Sequence, residues 1–126
     1  MRSISIFLPV HQPTQNLGST PVSFPQKVVK GFEAFVRDRA IFMVRSHADQ
    51  MLGFDPNTQH PPALRRYDIV LDVPEETGRL GDILARAIVD FAGPKGSVMT
   101  QSAGRFAAID AETAALIELG EDPWSE

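Results

Sequence analysis

The chain contains no cysteine among its 126 residues. Disulfides, thiolate metal sites and cysteine nucleophiles are therefore excluded, and a cytoplasmic location is expected. No apolar run approaches the roughly 20 residues that span a bilayer, so the sequence predicts no membrane association. The apolar run at 4–10 is interrupted by Ser5 and Pro9 and lacks a small-residue cleavage site, so it does not predict a signal peptide.

Motifs that carry common chemistries are also missing. There is no glycine-rich phosphate loop and no Gly-x-Ser-x-Gly nucleophile elbow, and the Gly-Pro-Lys-Gly run at 93–96 is typical of a helix terminator. His11, His47 and His60 have no metal-ligand spacing between them. The sequence therefore predicts no metal and no cofactor.

What the chain does contain is typical of one globular domain. Hydrophobic residues make up 43% of the chain and charged residues 22%. A chain of this length and composition can form a hydrophobic core without disulfides or structural metals. We expect a single domain over 1–126, with a long proline-containing loop at 11–25 and a mobile acidic tail at 121–126.

Hydrophobic periodicity predicts the elements. Alternation indicates strands at 3–10, 67–73, 97–102 and 106–109, whereas three- and four-residue spacing indicates a long helix at 26–52 and a second helix ending near residue 91. Asp110 is placed to cap a short third helix.

The predicted order is therefore β-α-β-α-β-β-α. It favours an α/β class, with α+β possible, in which three or four strands pack against one long and one medium helix. The first two strands should be parallel neighbours. A ferredoxin-like arrangement would need another strand before Tyr67, and the proline-rich segment at 53–64 does not supply one.

Parallel strands would bring three polar groups to one edge of the sheet. His11 follows the first strand, and Asp72 and Glu75 follow the second, at the carboxyl edge where open α/β sheets usually bind ligands. A histidine base oriented by a carboxylate, or one divalent cation on Asp72, is chemically possible there. Alternatively, Asp72 caps the second helix and Glu75 completes a capping box.

The long predicted helix has polar positions on its apolar arc. Arg39, His47 and Gln50 fall there, and an unpaired buried guanidinium would be very costly. We group these residues as interface candidates, although for Arg39 an intrachain ion pair is the first expectation, ahead of an interface or an anion site, and His47 could equally be a hydrogen-bonded core residue. Trp124 either anchors to a partner groove or folds back onto its own domain.

Charge is divided between the two halves of the chain. Residues 1–66 have a net charge of +4 and residues 67–126 one of −8, which gives −4 overall. A basic face of the predicted long helix could bind the phosphates of a nucleic acid. Its members are Lys27, Lys30, Arg37 and Arg45. Because Asp38 and Asp49 interrupt that face and the chain is acidic, nucleic acid is not favoured as a direct ligand.

These observations lead to three hypotheses from different classes. The leading one is a non-enzymatic protein-interaction module that self-associates through the long helix and complementary charge, with a protein partner, a homo-oligomer or both. The first alternative is a small enzyme or ligand-binding domain with a site at the carboxyl edge of the strands. The second alternative is an acidic decoy that inhibits a nucleic-acid-binding protein. No motif indicates a known family.

Overall fold

A computed structural model describes residues 2–12, 22–48, 64–72 and 76–125. The elements follow in the order β1 (Arg2–Pro9), α1 (Gln26–Arg39), β2 (Phe42–Ala48), β3 (Leu64–Leu71), α2 (Glu76–Ala87), β4 (Ser97–Ser102), β5 (Arg105–Asp110) and α3 (Ala111–Glu118). A π-helical turn, Ile88–Ala92, extends α2. Among these residues, none of the helices is long and apolar enough to cross a membrane.

The five strands of the described chain form one antiparallel sheet in the order β2-β3-β1-β4-β5. Its first four strands, together with α1 and α2, have the connectivity of the split β-α-β, or ferredoxin-like, arrangement. β5 extends this sheet beyond β4 as a hairpin. The class is therefore α+β, which the sequence allowed for.

The predicted long helix is wrong from residue 40 to residue 48, and its predicted end at 49–52 lies outside the described residues. α1 ends at Arg39, Ala40 adopts an extended conformation, and β2 begins at Phe42. The run from Ile41 to Val44 is rich in β-branched and aromatic residues, which favour strands. Its apolar positions satisfy both a helical and an alternating pattern, so periodicity alone could not decide between them.

The extra strand changes the sheet around it. Because β2 pairs with β3, β3 lies between β2 and β1 and runs antiparallel to both. The predicted parallel pairing of β1 with β3 is wrong for this reason. The sequence-based rejection of a ferredoxin-like arrangement is also wrong. The strand that it requires before Tyr67 is formed by residues 42–48.

One hydrophobic core lies between the sheet and the helices. Alternate residues of β1 and β3 face it, and the helices contribute the other wall. The largest fully buried side chains among the described residues include Tyr67, Phe32, Ile4, Ile6, Leu8, Ile69, Leu71, Leu80, Ile83 and Leu84. Phe32 of α1 packs edge-on against Phe91, with ring centroids 5.4 Å apart.

The C-terminal elements agree with the sequence prediction. β4 and β5 pair from Ser97↔Asp110 to Ser102↔Arg105 and turn through Ala103 and Gly104. The Asp110 side chain caps α3 by accepting a hydrogen bond from the Thr113 backbone N–H at 2.8 Å.

Candidate functional site

The structure does not bring together the residues that the sequence grouped at one strand edge. In the antiparallel register of β1 and β3, Pro9 lies opposite Leu64 and Arg2 lies opposite Leu71. His11 and Asp72 therefore come out at opposite ends of the sheet. Glu75 lies outside the described residues. Because the shared edge required parallel strands, these three residues do not form a site together.

A different group of charged residues meets between α1 and the sheet. Glu33 lies on the core side of α1, between Phe32 and Val36, and is only 5% exposed. Arg45 of β2 and Tyr67 of β3 are Cα partners on neighbouring strands. Helix α1 crosses these strands so that the carboxylate of Glu33 reaches both side chains. We call Glu33, Arg37, Arg45 and Tyr67 the Glu33 cluster.

The two oxygens of Glu33 are occupied unequally. Oε2 accepts hydrogen bonds from Tyr67 Oη at 2.8 Å and from Arg45 Nη1 at 3.0 Å. Oε1 accepts from the same Arg45 Nη1 at 3.4 Å and lies 4.0 Å from Arg37 Nη2. A carboxylate oxygen can accept two hydrogen bonds. Among the described residues, Oε1 thus keeps spare accepting capacity.

Tyr67 is held in its neutral form by the cluster. Burial, the hydrogen bond to Glu33 and the charge of that carboxylate raise the pKa of Tyr67 to about 12, with Arg65 opposing the shift. A neutral phenol donates rather than accepts the hydrogen bond to Glu33. Tyr67 therefore acts as a fixed donor that orients the carboxylate.

The cluster reaches solvent through its arginines. The side chains of Arg37 and Arg45 are 64% and 54% exposed, whereas the Glu33 side chain is 7% exposed. A buried carboxylate beside exposed guanidinium groups can bind a charged ligand through hydrogen bonds to ions, which are stronger than those between neutral groups. This arrangement makes the Glu33 cluster the candidate site.

Sequence reasoning missed Glu33 although a signal was present. Glu33 follows Val29 by four residues and precedes Val36 by three, so a carboxylate stands on the apolar face of the helix. The prediction placed four basic residues on one helix face, and three of them lie on α1. Lys27, Lys30 and Arg37 are exposed on α1, but Arg45 belongs to β2.

The predicted interface residues lie in several places. Arg39 ends α1, where its guanidinium stacks on the Phe35 ring at 3.5 Å and pairs with Asp82 of α2 at 3.8 Å. Arg39 thus forms an ion pair within the chain, one of the alternatives considered. The backbone of His47 belongs to β2, and its side chain and Gln50 lie outside what the structure describes.

Trp124 folds back onto its own domain. It is 3% exposed, and its indole Nε1 donates to Thr100 Oγ1 at 2.8 Å. Arg2 lies over its ring at 4.8 Å and pairs with Asp122 at 3.0 Å. Although burial opposes the shift, the Arg2 guanidinium lowers the pKa of Asp122.

A cavity lies where β1 and β4 separate. The ladder between them runs only from Ser5↔Gln101 to Phe7↔Met99. Beyond it is a cavity of about 210 Å³, lined by Ser3, Ile4, Ser5, Gln101, Ser102, Ala103 and Gly104. This lining carries no charged side chain, so it offers weaker electrostatic recognition than the Glu33 cluster. No group of three or more His, Cys, Asp or Glu in the described parts of the chain could hold a metal ion.

Comparisons with known proteins identify the fold. No protein family matches the sequence, and no curated protein matches it. A solved structure of a phage SAM lyase in complex with S-methyl-5'-thioadenosine is similar at a TM-score of 0.50 and 20% identity, covering 87% of this chain and 89% of that one. A solved structure of a phage SAM lyase in the apo state has a TM-score of 0.46 and 21% identity, covering 87% of this chain and 89% of that one. At this identity the likeness shows the fold alone.

The comparison corrects the leading hypothesis from the sequence. A non-enzymatic interaction module is contradicted, because the similar solved structure at a TM-score of 0.50 is an enzyme with a bound small molecule. The alternative of a small enzyme or ligand-binding domain fits better. The expectations of a protein partner and of an acidic decoy stay predictions.

Proposed function

We propose that this protein is a small enzyme or ligand-binding domain whose ligand is S-adenosylmethionine or a close analogue. The proposal rests on Glu33, whose side chain is 7% exposed and whose Oε1 accepts only one hydrogen bond from the described residues, at 3.4 Å. Buried polar atoms are normally well satisfied, and exceptions mark functional positions. The ligand class is taken from the protein that shares the fold.

The chemistry of that ligand suits the cluster. S-adenosylmethionine carries a sulfonium and an ammonium group, and either can approach a carboxylate oxygen with accepting capacity. Glu33 is held in place by Tyr67 at 2.8 Å, so the carboxylate needs little reordering when a ligand arrives. Pre-organised polar groups of this kind provide both affinity and orientation.

Titration calorimetry with S-adenosylmethionine and with S-methyl-5'-thioadenosine tests the proposal, and chromatography follows any conversion of the first into the second. We expect binding to the wild type and a loss of about tenfold or more in Glu33→Gln, since a hydrogen bond to a charged group contributes about 1.5–3 kcal/mol. Asp38→Asn is the matched control, because Asp38 is an exposed carboxylate on the same helix.

Circular dichroism shows that each variant is folded. Folded wild type that binds neither compound at millimolar concentration overturns the proposal. Equal effects of Glu33→Gln and Asp38→Asn would show that the ligand binds elsewhere and that the Glu33 cluster is not the site.

A further inference from the structure

The Glu33 cluster holds more positive than negative charge. One carboxylate, Glu33, lies beside two guanidinium groups, at 3.0 Å from Arg45 and 4.0 Å from Arg37. A purely cationic ligand would therefore meet a net repulsion from the cluster. A ligand that carries a carboxylate beside its cation would meet less repulsion, because the carboxylate is attracted by the two guanidinium groups.

Both arginines retain unused donors. Each hydrogen bond from Arg45 to Glu33 comes from Nη1, which leaves Nε and Nη2 without a partner among the described residues. Arg37 has only the long ion pair to Glu33 in that part of the chain. A guanidinium group has five N–H donors in a planar fork that fits a carboxylate.

Spare donors and spare accepting capacity lie side by side. Glu33 Oε1 is within 4.0 Å of Arg37 Nη2 and within 3.4 Å of Arg45 Nη1. In an α-amino acid the ammonium and carboxylate groups are attached to one carbon, so a receptor needs an acceptor and donors at this close spacing.

We propose that Glu33, Arg37 and Arg45 recognise the α-amino acid end of the ligand, with the guanidinium groups binding its carboxylate and Glu33 Oε1 its ammonium group. This inference rests on the proposed function and assigns the cluster to one end of the ligand. The cluster therefore selects S-adenosylmethionine over its decarboxylated form, which keeps the sulfonium and an amine but lacks the carboxylate.

Three ligands and matched variants test the assignment by calorimetry. The ligands are S-adenosylmethionine, decarboxylated S-adenosylmethionine and S-methyl-5'-thioadenosine. We expect Arg37→Ala to weaken S-adenosylmethionine binding by about tenfold, the loss typical of one charge-assisted contact, and to leave the other two ligands within about twofold. Lys30→Ala, which removes an exposed cation from the same helix, controls for long-range charge.

A second variant tests Arg45, whose guanidinium group lies 3.0 Å from the Glu33 carboxylate. Arg45→Lys keeps the charge but removes the planar fork, and it should weaken S-adenosylmethionine binding more than binding of the decarboxylated form. The inference is overturned if the wild type binds these two ligands equally, or if Arg37→Ala and Lys30→Ala behave alike. Wild type that binds none of the three ligands overturns the proposed function itself, and with it this assignment.

Discussion

The hydroxyl of Tyr67 donates a hydrogen bond to Glu33 Oε2 across 2.8 Å and thereby joins the third strand to the first helix. The Phe32 ring packs edge-on against the same tyrosine, with ring centroids 5.4 Å apart. Consecutive residues of α1 thus make a polar and an apolar contact with one side chain. Together these contacts set the position of the Glu33 carboxylate above the sheet.

The first prediction concerns the titration of Tyr67. Since it is the only tyrosine in the chain, its ionisation can be followed by ultraviolet absorbance without interference from another tyrosine. Burial and Glu33 raise the pKa of Tyr67 to about 12, and the native protein should titrate there. Glu33→Gln should lower this pKa, because it removes the charge of the carboxylate, but burial should keep it above 10.0. Native titration near the ordinary value would contradict the geometry.

The same shift predicts a loss of stability in alkali. Between the ordinary pKa of 10.0 and the folded value of about 12, the unfolded chain releases the tyrosine proton and the folded chain keeps it. The contribution of Tyr67 to the free energy of unfolding is therefore complete below pH 10.0 and is lost as pH rises toward about 12. Urea denaturation across that range measures the effect, and Tyr67→Phe should remove this part of the pH dependence.

The next prediction concerns the buried contact between Trp124 and Thr100. Thr100 Oγ1 accepts from the indole at 2.8 Å and donates to the Ala107 carbonyl oxygen at 2.7 Å. Thr100→Val leaves a buried indole N–H without its acceptor, so we expect a loss of about 1–3 kcal/mol in the free energy of unfolding. Thr100→Ser, which keeps the hydroxyl, should lose less. Chemical denaturation followed by tryptophan fluorescence compares the two variants. If Thr100→Val and Thr100→Ser have the same free energy of unfolding, the contact is contradicted.

The β4–β5 turn provides a prediction of increased stability. Ala103 has a φ of 53°, in the left-handed region that glycine adopts freely. Ala103→Gly should therefore stabilise the protein by about 1 kcal/mol, since the left-handed conformation costs an L-residue about that much. Ala108→Gly in strand β5 is the matched control and should destabilise it. A destabilising Ala103→Gly in thermal denaturation would show that the turn adopts another conformation.

Much of the fold could be predicted from local patterns. The hairpin, the capped third helix and the second helix each depend on residues that are close in sequence, such as Asp110 and Thr113. The second half of the long predicted helix could not be assigned in this way. Residues 42–48 become a strand because they pair with β3, from Phe42↔Val70 to Ala48↔Leu64, and that partner lies outside any local window.

The candidate site could not be predicted from the sequence for a related reason. Arg45 was assigned to the same helix as Arg37, which made both part of one solvated basic face. Only the β2–β3 register, which places Arg45 opposite Tyr67, brings a guanidinium and a phenol to the same carboxylate. The unusual placement of Glu33 between apolar residues was visible, but its partners depended on strand order.

The most direct test of the central claim is calorimetric titration of S-adenosylmethionine into the folded wild type and into Glu33→Gln. We expect saturable binding to the wild type that weakens about tenfold or more in the variant, while Asp38→Asn binds like the wild type. Wild-type protein that binds no S-adenosylmethionine, or a Glu33→Gln variant that binds it unchanged, would contradict the assignment of the Glu33 cluster as the ligand site.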